Sequence, residues 1–101
     1  MPAYVILDVT VDDTAGYEEY KKLSGPALAA SGGRFVVRGG ACEVLEGDWT
    51  PERFVMLEFD SVAQAKAWYD SEQYRVAREL RWKASRGRMI LVDGIPSGGP
   101  L

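Results

Sequence analysis

Three charged residues sit among alternating apolar ones: Asp8 within Tyr4-Val5-Ile6-Leu7-Asp8, Arg38 closing Arg34-Phe35-Val36-Val37-Arg38, and Glu58 within Val55-Met56-Leu57-Glu58-Phe59. An arginine between two carboxylates supports two kinds of chemistry. Its planar guanidinium holds a carboxylate or enolate bidentately, and a carboxylate whose pKa is raised by burial moves a proton. The same three groups can instead satisfy one another in a buried or interfacial ion network that fixes the pairing of two subunits. Asp8, Arg38 and Glu58 are therefore the candidate catalytic set, with the ion network as the alternative. Small-molecule sites combine apolar walls with a few convergent polar groups, and Tyr4, Tyr20, Trp49, Met56 and Trp68 are the candidate ligand-binding walls. The helical spacing of Tyr17, Tyr20, Trp68, Tyr69 and Tyr74 also fits core packing, whereas Trp49 lies in a turn and suits a cavity mouth or a subunit contact.

Missing residue types narrow the chemistry. The chain has no histidine, which removes Ser-His-Asp and Cys-His catalysis, His-ligated haem and His-containing zinc sites. Proton transfer must use carboxylates, tyrosines, lysines or water. The single cysteine, Cys42, forms no intrachain disulfide and has no histidine to activate it. No glycine-rich phosphate loop or metal-ligand spacing is present, so no cofactor and no metal are expected. With a net charge of −3 the chain lacks the positive field that drives nucleic-acid binding. The basic run Arg75, Arg78, Arg81, Lys83, Arg86 and Arg88, interleaved with Glu79, reads as a solvated helix face. No apolar run approaches the roughly 18 residues of a membrane span, and Met-Pro-Ala-Tyr-Val does not resemble a signal peptide. A cytoplasmic protein without membrane contact is the expectation.

The elements that must position these residues follow from hydrophobic period. The 101 residues suffice for one domain. Residues 3–11 alternate as a strand, with Val5, Leu7, Val9 and Val11 on one side and Tyr4, Ile6, Asp8 and Thr10 on the other. Asp12-Asp13-Thr14 caps a helix through Tyr17, Tyr20 and Leu23, with a kink or break expected at Gly25-Pro26. Residues 34–38 form a second strand, which residues 43–46 continue or return after a bulge or bend at Gly39-Gly40. A third strand spans 53–59, a Ser61/Gln64 capping box opens the next helix, and Ser71 restarts it as far as Ala84. Residues 89–93 are the last strand. The domain runs over 1–94, with residues 95–101 as a C-terminal tail.

The order β-α-β-β-α-β is that of an α+β, ferredoxin-like domain: a four-stranded antiparallel sheet with helices on one face. If the helices cover Val5, Leu7, Val55, Leu57, Ile90 and Val92, the other face carries Tyr4, Ile6, Asp8, Thr10, Arg34, Val36, Arg38, Phe54, Met56, Glu58, Met89, Leu91 and Asp93. That face is too apolar to meet water, and the same face of a second copy is its simplest cover. A homodimer is expected, together with a small organic, anionic ligand.

Several blocks carry a family resemblance. Gly32-Gly33-Arg34-Phe35-Val36-Val37-Arg38-Gly39-Gly40, Val44-Leu45-Glu46-Gly47-Asp48-Trp49, Pro51-Glu52-Arg53, Leu57-Glu58-Phe59-Asp60-Ser61 and Trp68-Tyr69-Asp70-Ser71-Glu72-Gln73-Tyr74 together resemble the DUF1330 family from about Tyr4 to Gly94. That family falls in the dimeric α+β barrel group with antibiotic-biosynthesis monooxygenases, muconolactone isomerase and polyketide cyclases. The resemblance implies the fold firmly and the activity only in outline, since function resides in the site rather than the fold. It points to a cofactor-independent isomerase, cyclase or monooxygenase acting in a cavity between the helices and the sheet or in a dimer-barrel cavity, or to a non-catalytic homodimeric module binding a metabolite or protein. The histidine of some relatives has no counterpart here, so haem or histidine-base chemistry does not carry over.

Overall fold

The first strand decides which side of the sheet becomes core. In the computed structural model, which describes residues 2–95, Ala3, Val5, Leu7 and Val9 are buried while Tyr4, Ile6, Asp8 and Thr10 between them are half-buried. The elements are β1 (Ala3–Val11), α1 (Thr14–Ala30), β2 (Arg34–Arg38), β3 (Arg53–Phe59), α2 (Val62–Asp70), α3 (Glu72–Ala84) and β4 (Ser85–Asp93). The four strands lie in the order β2-β3-β1-β4, each neighbouring pair antiparallel. This is the ferredoxin-like arrangement. Of the expected tail, all but Ile95 lies outside the described residues.

Alternation repeats in β3, where Val55, Leu57 and Phe59 are buried opposite Leu7, Val5 and Ala3. Helix side chains complete the core. Trp68 of α2 lies 4.1 Å from the Tyr74 ring and 5.3 Å from that of Phe59, ring centroid to centroid, and all three are almost wholly buried. Tyr17 and Tyr20 join them from α1, so the helical spacing of the aromatics does mean core. Caps fix where the helices start. Asp13 accepts from the Gly16 N–H and Ser71 from the Tyr74 N–H. Ser61 Oγ accepts from the Gln64 N–H, while Gln64 Oε1 reaches back to the Asp60 N–H and its Nε2 donates to the Ser31 carbonyl, tying α2 to the end of α1.

Several local expectations give way. Helix α1 runs unbroken through Gly25-Pro26. Pro26 costs a helix about 3 kcal/mol, but Tyr17, Tyr20, Ala27 and Leu28 are buried on either side of it, and burying such side chains is worth about 1.5–3 kcal/mol for each large one. Residues 43–46 form no strand, and 39–52 is an irregular connection. The chain bends at Gly39, as expected, but the bulge in the sheet falls earlier, between Phe35 and Val37. The last strand begins at Ser85, and Ile90 and Val92 pair with Ile6 and Tyr4, placing them on the face away from the helices. They are 57% and 39% exposed, whereas Met89 and Leu91 pack on the core. Two residues of the basic run are not solvated: Arg81 is only 5% exposed, because it continues the buried stripe Tyr74-Ala77-Arg81-Ala84 of α3, and Arg78 is half-buried against Tyr69 and Trp82.

The turn from α1 into β2 leaves no room at Gly33, where an added Cβ would lie 2.5 Å from Leu28 Cδ1 and 2.6 Å from Phe59 Cε1. Overpacking of this kind costs about 1–3 kcal/mol. Urea denaturation of Gly33→Ala should show a loss of that order, and an unchanged midpoint would mean that the α1–β2 corner is not packed this way.

Candidate functional site

Across the β2–β3 ladder Arg34 faces Glu58 and Phe35 faces Leu57, but the next pairs are Val37 with Met56 and Arg38 with Val55. Val36 is thus an extra residue, a β-bulge. Because residues directly opposite share a face, Arg34 and Val37 lie on the open face while Phe35 and Arg38 lie on the helix side. The expected constellation of Asp8, Arg38 and Glu58 is corrected here: the structure does not assemble it. Asp8 and Glu58 share the open face but lie four positions apart in register, about 13 Å along the strand, and Arg38 is on the other side of the sheet.

Each carboxylate has its own partners instead. Asp8 Oδ2 accepts from Arg88 Nη2 and from Trp49 Nε1, each at 3.0 Å. Glu58 accepts from Arg34 Nε at 3.0 Å and from the Tyr4 hydroxyl at 3.4 Å. Trp49 also sets its ring edge-on to Phe54, 6.3 Å between centroids, so the 39–52 connection folds over the open face. There it walls a shallow depression of about 620 Å³ with Ile6, Asp8, Asp48, Arg88 and Ile90. Met56 is half-buried on this same face.

The helix side holds a smaller and chemically different recess, between α1 and the sheet. Its lining includes Tyr17, Tyr20, Lys21, Ser24, Leu28, Phe35, Arg38, Arg53, Leu57, Trp68 and Met89. Arg38, Tyr20 and Trp68 of the candidate residues meet here, while Tyr4, Trp49 and Met56 belong to the open face. Sequence reasoning passed over Arg53, although its place two residues before Val55 in the alternation of β3 puts it on the core side. Gly39 makes room for it. Gly39 has φ +71°, a conformation that favours glycine, and a Cβ there would lie 2.6 Å from Arg53 Nη1 and push the guanidinium aside.

Polar groups decide which space is the better site. The carboxylates walling the open-face depression include Asp8, whose partners are already in place. In the recess, Arg38 Cζ lies 4.4 Å above the Phe35 ring and Arg53 Cζ 5.5 Å from the Tyr17 ring. Neither arginine has an ion-pair partner among the described residues. Arg53 Nε and Trp68 Nε1 are buried with no acceptor, and a buried unsatisfied donor costs about 1–3 kcal/mol. Lys21 is paired with Glu18 at 2.9 Å. The Tyr20 and Tyr74 hydroxyls lie 3.0 Å apart. Burial first, and Tyr74 second, raise the Tyr20 pKa above the ordinary phenol value, so its proton stays on. No Asp or Glu lines the recess. As packed, about 30 Å³ is free inside it, enough for a water or two. No group of three or more His, Cys, Asp or Glu side chains converges anywhere among the described residues.

Comparison with known proteins agrees with the geometry of the fold. The profile of the family described as "Domain of unknown function (DUF1330)" matches residues 2–95. The structure is similar to RPA0582, a protein of unknown function from Rhodopseudomonas palustris, with a TM-score of 0.75 at 23% identity over 94% of this chain and 83% of that one. It is similar also to SnoaB, described as a cofactor-independent oxygenase from Streptomyces nogalater, with a TM-score of 0.64 at 11% identity over 94% of both chains. A third likeness is to a dimeric ferredoxin-like protein of unknown function from Thermobifida fusca, with a TM-score of 0.64 at 17% identity over 92% of this chain and 91% of that one. No curated protein matches the chain.

The placement of Arg38 removes the pH dependence that an ion network would give to its loss. Had it neutralised Asp8 and Glu58, Arg38→Gln would destabilise more at neutral pH than near pH 4. An exposed arginine without a carboxylate partner should change stability by no more than about 0.5 kcal/mol when replaced, equally at both pH values. A large loss in urea denaturation at pH 7 that vanishes at pH 4 would restore the ion-network reading.

Proposed function

The chain belongs to the DUF1330 family, and we propose that it is a homodimeric small-molecule enzyme of the cofactor-independent isomerase, cyclase or monooxygenase type, whose ligand sits between α1 and the sheet. The observation that carries this is the recess itself: aromatic and aliphatic walls around two guanidiniums that no carboxylate approaches to ion-pair distance among the described residues, Glu18, itself paired with Lys21, being near enough only to feel the charge of Arg53. Apolar surroundings strengthen each polar contact to a ligand. The fold shared with an oxygenase described as cofactor-independent supports the class of chemistry, and the lack of histidine agrees with it.

The homodimer rests on the open face. Ile6, Phe54, Met56, Ile90 and Val92 give it an apolar surface that the helices leave uncovered, and pairing with a second copy removes that surface from water by a closed two-fold contact. A related fold described as dimeric supports this. The exposed free thiol of Cys42 suits a reducing, cytoplasmic compartment.

One observation favours a second reading, a non-catalytic metabolite-binding dimer. No carboxylate lines the recess and Tyr20 stays protonated, so its walls offer no general base from these groups near neutral pH. Catalysis there needs a substrate that arrives already ionised, whereas binding needs no base. Turnover of a bound compound separates the two.

Sedimentation should give a species of twice the 11.1 kDa chain mass, and Ile6→Asp should shift it to monomer or aggregate by burying an unpaired charge; a dimer unaffected by Ile6→Asp would place the contact elsewhere. In NMR screening, small aromatic compounds should shift the amides of Tyr17, Tyr20, Arg38 and Arg53. Shifts confined to Ile6, Asp8 and Ile90 would move the ligand site to the open face.

A further inference from the structure

We infer that the recess selects organic anions: a flat, apolar body lies against Leu28, Leu57 and Trp68, and its carboxylate or enolate is clamped between Arg38 and Arg53. This rests on the reading of the recess as the ligand site and adds the charge and shape of what enters it.

The lining carries a single sign. Its side-chain polar groups are cations or hydrogen-bond donors, namely Lys21, Arg38, Arg53, the Trp68 indole and the hydroxyls of Tyr17, Tyr20 and Ser24, and no carboxylate is among them. The whole chain is net acidic, at −3, so this positive lining runs against the overall charge. A cleft with low-dielectric walls focuses such a field on an incoming anion.

Two separate backbone irregularities produce the arrangement. The bulge at Val36 turns Arg38 to the helix side, and the positive φ of Gly39 leaves space for the Arg53 guanidinium. Without the bulge, Arg38 would share the open face with carboxylates. Stacking supplies the rest. A guanidinium held by its face against an aromatic ring, as Arg38 is on Phe35 and Arg53 near Tyr17, is stabilised as a cation while its N–H edge stays free. That edge fits a carboxylate bidentately. Arg53 Nε and Trp68 Nε1, both buried without an acceptor, are the donors an anionic ligand would satisfy. Only about 30 Å³ is free as packed, so a ring-sized body enters only with a rearrangement of the lining.

The test is calorimetric titration of the intact protein with benzoate, cinnamate and 2-naphthoate, each against its uncharged primary amide, with amide shifts mapped by NMR. At least one carboxylate should bind ten-fold or more tighter than its amide. Arg38→Gln and Arg53→Gln should each weaken the carboxylate ten-fold or more without changing the amide, while Arg75→Gln on the exposed side of α3 should change neither. If Arg53→Gln fails to fold, Arg53→Lys keeps the charge, loses the fork and should still weaken binding. Equal binding of acid and amide at the recess would overturn the anion assignment and leave the recess as a ligand site. Inorganic phosphate binding as tightly as the best carboxylate would overturn the organic part. Failure of every carboxylate to bind would overturn the inference outright, and binding insensitive to both arginines with shifts only on the open face would overturn the recess as well.

Discussion

Between Phe35 and Val37 the β2–β3 ladder carries one residue too many, and because side chains alternate sides along a strand, everything in β2 beyond Val36 faces opposite to where strict alternation would send it. The separation of charge on this sheet depends on that insertion. Arg34, before the bulge, meets Glu58 on the open face. Arg38, after it, lies on the helix side beside Phe35 and Arg53. A strand of five residues therefore supplies a cation to each side of the sheet.

The open face and the helix side have different chemistry as a result. On the open face the carboxylates carried by β1 and β3 are matched: Asp8 with Arg88 and Trp49, Glu58 with Arg34 and Tyr4. Matched charges beside apolar Ile6, Met56 and Ile90 suit a contact between subunits, where an unpaired charge would be costly. On the helix side the arginines are unmatched and the aromatics surround them.

The aromatic cluster links the recess to the core. Trp68 and Tyr20 line the recess while packing in the interior with Tyr74 and Phe59. Their positions are held by the caps at Ser61 and Ser71 and by the Gln64 bridge from α2 to the end of α1. Residues so constrained lose little freedom when a ligand arrives, which is the physical meaning of a preorganised site. Arg38, stacked on Phe35, is the exposed member at the rim.

Sequence alone determined the order and type of elements, the caps at Asp13, Ser61 and Ser71, the core side of β1 and β3, and the aromatic core, because these follow from local hydrogen bonding and from hydrophobic periods of 2 and 3.6. Arg53 was legible too, by counting back from Val55. Three things were decided only in the tertiary structure. The face of β4 was one, since Met89-Ile90-Leu91-Val92 is apolar on both sides and periodicity carries no sign there; pairing with β1 chose it. The continuity of α1 through Pro26 was another, set by burial of Tyr17, Tyr20, Ala27 and Leu28. The third was the site. Arg34-Phe35-Val36-Val37-Arg38 alternates without a flaw in sequence, and the extra residue exists only relative to β3. A register is a relation between two strands, so no single strand can state it, and it is the register that sends Arg38 to the recess rather than to Asp8 and Glu58.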